Sequence, residues 1–160
     1  MGQQQLLLIV LGVIIVGIAI AVGISMFKSN AQSSNRDAIV NDLNNLAAQA
    51  QQYYRKPVSM GGGAQKFDGF GLSAADTGNG NGSYFLKQGA TAASMDNAWV
   101  AAPSRHLGGN GFDTLVAGAN VQGFLILGVG TEAGNDGTAG HNVEAEAFVS
   151  PTGPQVKILN

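Results

Sequence analysis

The sequence contains no cysteine, which excludes disulfide bridges and thiolate metal sites. Charged residues are also scarce: they make up 11% of the chain, against roughly 25% in an ordinary soluble domain. The formal net charge is −2 and no basic patch stands out, so nucleic acid is not an expected partner. Glycine, in contrast, is abundant at 24 of 160 residues. Much of the polar surface must therefore come from Asn, Gln, Ser, Thr and the backbone.

The sequence carries no charged side chain before Lys28. Residues 6–27 read LLLIVLGVIIVGIAIAVGISMF, and at 1.5 Å per residue a helix of this length, about 33 Å, crosses the hydrocarbon core of a bilayer. A soluble core helix would need a polar face, and this segment has none. A signal peptide cleaved near Ala31 is the alternative, but its apolar region would be shorter and would follow a basic segment. We therefore predict a segment that lies in a membrane or in the core of an assembly.

Residues 28–56 return to a helical period and are predicted to form an amphipathic half of the helix. Two interpretations are open. The helix restarts after a hinge, at a capping box formed by Ser34 and Asp37, or it is continuous from about residue 4 to residue 54. We favour the continuous helix. Its apolar stripe is formed by residues at steps of three and four, namely Ile39, Val40, Leu43, Leu46, Ala47, Ala50, Tyr53 and Tyr54.

Residues 57–160 are predicted to form a globular, β-rich head with glycine-rich loops. Pro57 ends the helix, and a turn-rich stretch with many glycines follows it. A long loop and then a tight turn at residues 151–154 separate the last three strand-like runs, which favours antiparallel pairing. The predicted fold is α+β, with the helix of residues 1–56 packed on a small C-terminal sheet. The β-prone runs are residues 83–87, 98–101, 114–117, 121–129, 143–149 and 155–159.

This layout, an apolar helix that continues into an amphipathic half backing an antiparallel sheet, resembles the type IV pilin family. The resemblance implies a structural subunit of an extracellular filament, inserted in the membrane before assembly and polymerised with its own copies by an inner-membrane machinery. It implies no enzyme activity, cofactor, catalytic residue or metal site. The side chains expected to form the filament core are Leu6, Leu7, Leu8, Ile9, Val10, Leu11, Val13, Ile14, Ile15, Val16, Ile18, Ile20, Val22, Ile24 and Phe27.

The N-terminus departs from the family's pattern. Pilin leaders are short, basic and end in glycine, whereas here only Met1 and Gly2 are available for that role. The family's glutamate at the fifth mature position is replaced by Leu7 if cleavage follows Gly2, or by Gln5 if Met1 is the mature first residue. Packing of the apolar helices must then set the register of the subunits, aided by amide hydrogen bonds.

A membrane-tethered surface domain, acting as an adhesin or ligand-binding module, is the alternative function. Lys28 alone would place the head in the cytoplasm by the positive-inside rule, whereas the resemblance places it outside the cell. Asn81 begins an N-glycosylation triplet and is a possible modification site. The stretch from Asp76 has oxygen donors, but glycines replace two ligand positions of a calcium loop, which favours an ordinary turn.

Two histidines, a tryptophan and two tyrosines are predicted to have structural roles. His106 and His141 lie in turn-rich stretches with no cysteine and no carboxylate at ligand spacing, so we expect them on the surface. Trp99 is expected in the core. Tyr53 and Tyr54 are expected to pack beneath the sheet.

Overall fold

The computed structural model describes residues 2–73, 75–88, 122–134 and 142–159. Its first element is a single helix, α1, which runs without interruption from Gly2 to Arg55. The continuous helix is thus confirmed, and a restart at Ser34 is wrong. A helix of 54 residues is about 80 Å long. The chain leaves it at Pro57 and forms one turn of 3₁₀ helix at Val58–Met60.

Four antiparallel strands form one sheet in sequence order: β1 (Gly82–Gln88), β2 (Phe124–Ala133), β3 (Asn142–Ser150) and β4 (Gly153–Ile158). The α+β fold is therefore confirmed. The runs predicted at residues 83–87, 143–149 and 155–159 each overlap a strand. The run predicted at 121–129 begins too early and ends too soon, because β2 continues to Ala133. The runs at 98–101 and 114–117 lie outside the described residues.

The core lies between the second half of α1 and one face of the sheet. The predicted apolar stripe supplies the helix side: Ile39, Leu43, Leu46, Ala47 and Ala50 are buried, and Val40, Tyr53 and Tyr54 are half-buried against them. The sheet side comes from alternate positions of the strands, as the two-residue period of a strand requires. These positions are Tyr84, Leu86, Phe124, Ile126, Val143, Ala145, Ala147 and Val149.

Two glycines on β2 allow α1 to approach the sheet closely. A Cβ atom at Gly128 would lie 2.6 Å from Cγ2 of Ile39, and one at Gly130 would lie 2.6 Å from Cδ1 of the same side chain. These separations are well below the 3.5–4.0 Å of ordinary carbon contacts. Any larger residue at either position would push the helix away from β2.

The glycine-rich stretch after Pro57 contributes aromatic side chains to the core. Tyr53 packs edge-on against Phe70 with ring centroids 5.5 Å apart, and Tyr54 lies 4.8 Å from Phe67. Both phenylalanines contact Phe124 of β2. The two tyrosines thus pack against the core beneath the sheet, as expected, and loop phenylalanines lie between them and Phe124.

Candidate functional site

The N-terminal part of α1 exposes the apolar segment, residues 6–27. Exposure ranges from 50% at Leu11 to 78% at Phe27. The first buried residue of the helix is Ile39. All of the side chains predicted to form a filament core are exposed, namely Leu6, Leu7, Leu8, Ile9, Val10, Leu11, Val13, Ile14, Ile15, Val16, Ile18, Ile20, Val22, Ile24 and Phe27.

By length and composition, α1 is the one helix among the described residues that is able to cross a membrane. Signal sequences near an N-terminus meet the same criterion. Gly12, Gly17 and Gly23 interrupt the large side chains of the segment, and a Cβ atom at any of them would meet nothing within 4 Å. The surface is therefore open at the glycines as well as at the large apolar residues.

Three amide side chains fasten the second half of α1 to the head, and we call them the amide clasp. Gln32 donates to the carbonyl of the last residue of β2 at 2.7 Å. Asn35 donates to the carbonyl of Asn81 at 2.8 Å. At the other end of the head, Gln51 donates to the carbonyl of Ser150. Because these bonds span about 30 Å of helix, they hold its direction relative to the sheet.

A carboxylate on α1 gathers the loop before β1. Oδ2 of Asp42 accepts hydrogen bonds from the Tyr84 hydroxyl at 2.6 Å, from Nδ2 of Asn79 at 2.8 Å and from Nδ2 of Asn81 at 2.9 Å. Burial alone would raise the pKa of Asp42, but these three donors outweigh it and hold the pKa below its usual value. Burial, together with the neighbouring carboxylate, raises the pKa of the Tyr84 hydroxyl.

The same network occupies the predicted glycosylation position. Nδ2 of Asn81, the atom that a glycan would modify, donates to Asp42, and the side chain is half-buried. Asp76, at the start of the predicted turn, accepts a hydrogen bond from the Ser73 hydroxyl at 2.6 Å. Within the described ranges, no three His, Cys, Asp or Glu side chains lie together as metal ligands do. His106, His141 and Trp99 lie outside those ranges.

A small open groove of about 200 Å³ lies beside this network, between α1 and the loop before β1. Its walls include Asn45, Gln49, Asp76 and Asn79, and it is therefore polar. Sequence reasoning missed both the groove and Asp42. The local sequence of α1 does not distinguish Asp42 from other polar residues of the helix, because its hydrogen-bond partners are about 40 residues further along the chain.

Comparisons of the chain with protein-family models, curated proteins and solved structures found no match. The resemblance to pilins therefore depends on the layout of α1 and the sheet. A function has to be argued from the geometry of the exposed segment.

Proposed function

We propose that this chain is a structural subunit of an extracellular type IV pilus-like filament and that it polymerises through the apolar segment. The observation that carries the proposal is the exposure of every large apolar side chain of residues 6–27 around a helix with no polar side. Monomeric soluble proteins rarely expose apolar patches larger than a few hundred Å². This segment far exceeds that limit, so something other than water has to cover it.

Lipid and other copies of the same helix are the two environments that suit the segment. Removal of apolar surface from water contributes about 25 cal/mol per Å², so covering roughly 22 side chains amounts to tens of kcal/mol before entropic costs. Release of a free monomer into water is negligible on that scale. The subunit is thus held in the membrane as a precursor, and an inner-membrane machinery transfers it into the filament.

The rigid connection between the apolar segment and the head favours a filament over a simple tether. An anchor that only retains a domain at a membrane works equally well through a flexible linker. Here α1 continues unbroken from the apolar segment to Arg55, and the amide clasp and the buried stripe fix the head along its second half. When such helices pack in a bundle, the position of each helix fixes the position of its own head, and a regular filament requires this.

The second candidate function is a membrane-tethered ligand-binding domain, and the polar groove beside Asp42 favours it. The hydrogen-bonding groups of Asp42, Asn79 and Tyr84 are, however, directed at each other. A ligand would have to compete with these internal bonds. The filament is therefore the function that we propose first.

Replacement of Ile15 by aspartate tests the filament. Ile15 lies near the middle of the segment and is 58% exposed, and a carboxylate at the centre of an apolar helix costs about 2.5–3.5 kcal/mol on insertion scales. We expect the yield of filaments sheared from cells, divided by the amount of subunit in membranes, to fall by about a hundredfold or more. Electron microscopy and mass spectrometry of the sheared fraction measure this yield.

Two matched variants complete the test. Ile15→Leu keeps the apolar surface, and Gln49→Asp places the same carboxylate on an exposed position in the second half of α1; both should assemble as the wild type does. Normal filaments from Ile15→Asp would refute the assembly role of the segment. A wild-type subunit that stays in the membrane fraction and forms no filament would instead support the tethered domain.

A further inference from the structure

Exposed cations and apolar side chains meet at the end of the head where α1 terminates. Arg55, Lys56 and Lys66 are exposed there, and Val58 and Met60 are 70% and 65% exposed. We call these five residues the upper patch. Asp68, an acid two residues after Lys66, is half-buried.

The backbone after α1 folds back and holds the upper patch together. Gly61 has a φ of 76°, in the left-handed region, and closes the turn. The N–H of Ala64 then donates to the carbonyl of Lys56 at 3.0 Å, and the N–H of Gln65 donates to the carbonyl of Tyr54 at 2.8 Å. Lys66 is thereby brought back beside the end of the helix.

The opposite end of the head carries exposed carboxylates. The N–H of Glu132 donates to Oδ1 of Asn35 at 3.4 Å, so this residue lies on the sheet side of α1. Asp37 follows two residues after Asn35, about 200° around the helix, and so lies on the other side. Both are exposed, and we call them the lower acids. Arg36, which directly precedes Asp37 in the chain, is half-buried.

The exposed charged side chains named here among the described residues therefore have opposite sign at the two ends of the head, along the direction of α1. Asp37 and Arg55 are five full turns apart, on the same side of the helix and about 27 Å from each other. In a filament built on parallel copies of α1, the upper end of one head faces the lower end of a head further along. A membrane that holds residues 6–27 does not reach the upper patch, since Arg55 is about 42 Å of helix beyond Phe27.

We infer that the heads of successive copies bind end to end, with the upper patch of one copy against the lower acids of another. This inference rests on the proposed filament and names a second contact in it, outside the apolar segment. Complementary charge favours one register of heads and opposes contacts between like ends. Since exposed charges are screened by salt, over about 8 Å at physiological ionic strength, the contact is weakened as salt is added.

Charge exchange in the full chain tests the inference. One variant combines Lys56→Glu with Lys66→Glu, another combines Asp37→Lys with Glu132→Lys, and the third carries all four changes. We expect each two-residue variant to lower the sheared filament yield about tenfold and the four-residue variant to return it to within about twofold of wild type. Wild-type filaments should also shorten as the salt concentration is raised from about 50 to about 500 mM.

Asn44→Glu with Gln49→Glu is the control, because it adds acid to the exposed middle of the helix, away from both ends. It should leave the yield unchanged. If the four-residue variant assembles as poorly as the two-residue variants, or if the two-residue variants assemble normally, the end-to-end contact is wrong. Either result would refute the contact between heads without refuting the proposed filament. If the wild-type chain formed no filament at all, the proposed function itself would be wrong.

Discussion

Replacement of Gly128 by alanine tests how closely α1 lies on β2. The new Cβ atom would lie 2.6 Å from Cγ2 of Ile39, 3.2 Å from Cε1 of Tyr84 and 3.4 Å from Cγ of Leu43. Ordinary carbon contacts are 3.5–4.0 Å long, so Ile39 or the helix has to move by about 1 Å. Ile39 and Leu43 are both fully buried, so neither side chain can turn out into solvent to take up the change.

The expected loss of stability follows from overpacking. Extra carbon in a filled core costs about 1–3 kcal/mol, and alanine recovers about 0.5–1 kcal/mol because glycine loses more backbone entropy on folding. We expect a net loss of about 1–2 kcal/mol in the free energy of unfolding of the head. Pulse proteolysis of the full chain in detergent, across a urea series, measures it.

A double-mutant cycle identifies the contact. Ile39→Leu removes the β-branch methyl group that meets the new Cβ atom, so the pair Ile39→Leu and Gly128→Ala should be more stable than the sum of the single changes by about 0.5 kcal/mol or more. Gly80→Ala is the control, since nothing lies within 4 Å of its Cβ position. A Gly128→Ala chain as stable as wild type would show that α1 does not cross β2 at this residue.

Two further predictions concern the Asp42 network and the N-terminus. Asp42→Ala leaves the buried Tyr84 hydroxyl without its acceptor and should cost about 1–3 kcal/mol. Because the pKa of Asp42 is lowered from 3.8 on folding, the wild-type head should lose stability as the pH falls below about 3.8. Because the pKa of Tyr84 is raised from 10.0, the head should also lose stability as the pH rises above about 10. Both losses should be smaller in Asp42→Ala, and urea midpoints that depend on pH as those of wild type do would contradict the network. Gln5→Ala should lower filament yield only modestly, since a neutral hydrogen bond contributes about 0.5–1.5 kcal/mol. Deletion of residues 13–16 shifts every helix packing contact beyond the deletion and should abolish filaments. The opposite ranking of the two variants would show that the polar N-terminus sets the register of the subunits.

The sequence alone predicted α1 well because each half of the helix has a local sequence pattern that is typical of a helix. The first half is a long uninterrupted apolar run, and the second half has an apolar stripe at steps of three and four residues. The structure confirms one continuous helix and extends it by about two residues at its start, to Gly2, and by one at its end, to Arg55. The restart at Ser34 was a real alternative in local terms, but no proline precedes Pro57 and no glycine lies between Phe27 and Pro57.

Features that depend on two distant parts of the chain were not predictable in the same way. The end of β2 contains Gly130, Thr131 and Glu132, a composition typical of a turn, yet these residues continue the strand. The glycines are needed there because Ile39 comes so close. That requirement arises from the docked helix, and nothing in the local sequence of β2 reveals it.

The amide clasp also determines how the subunit responds to mechanical tension. In the proposed filament, a pull would enter through the apolar segment and travel along the helix axis to the head. The bonds of the clasp are spaced along α1 from Gln32 to Gln51, so a load between helix and head is shared among them. The buried stripe between Gln32 and Gln51 resists the same sliding motion. The joint between head and helix is thus suited to carry tensile force, and because the three donors of the clasp are uncharged amides, dissolved salt would screen these bonds little.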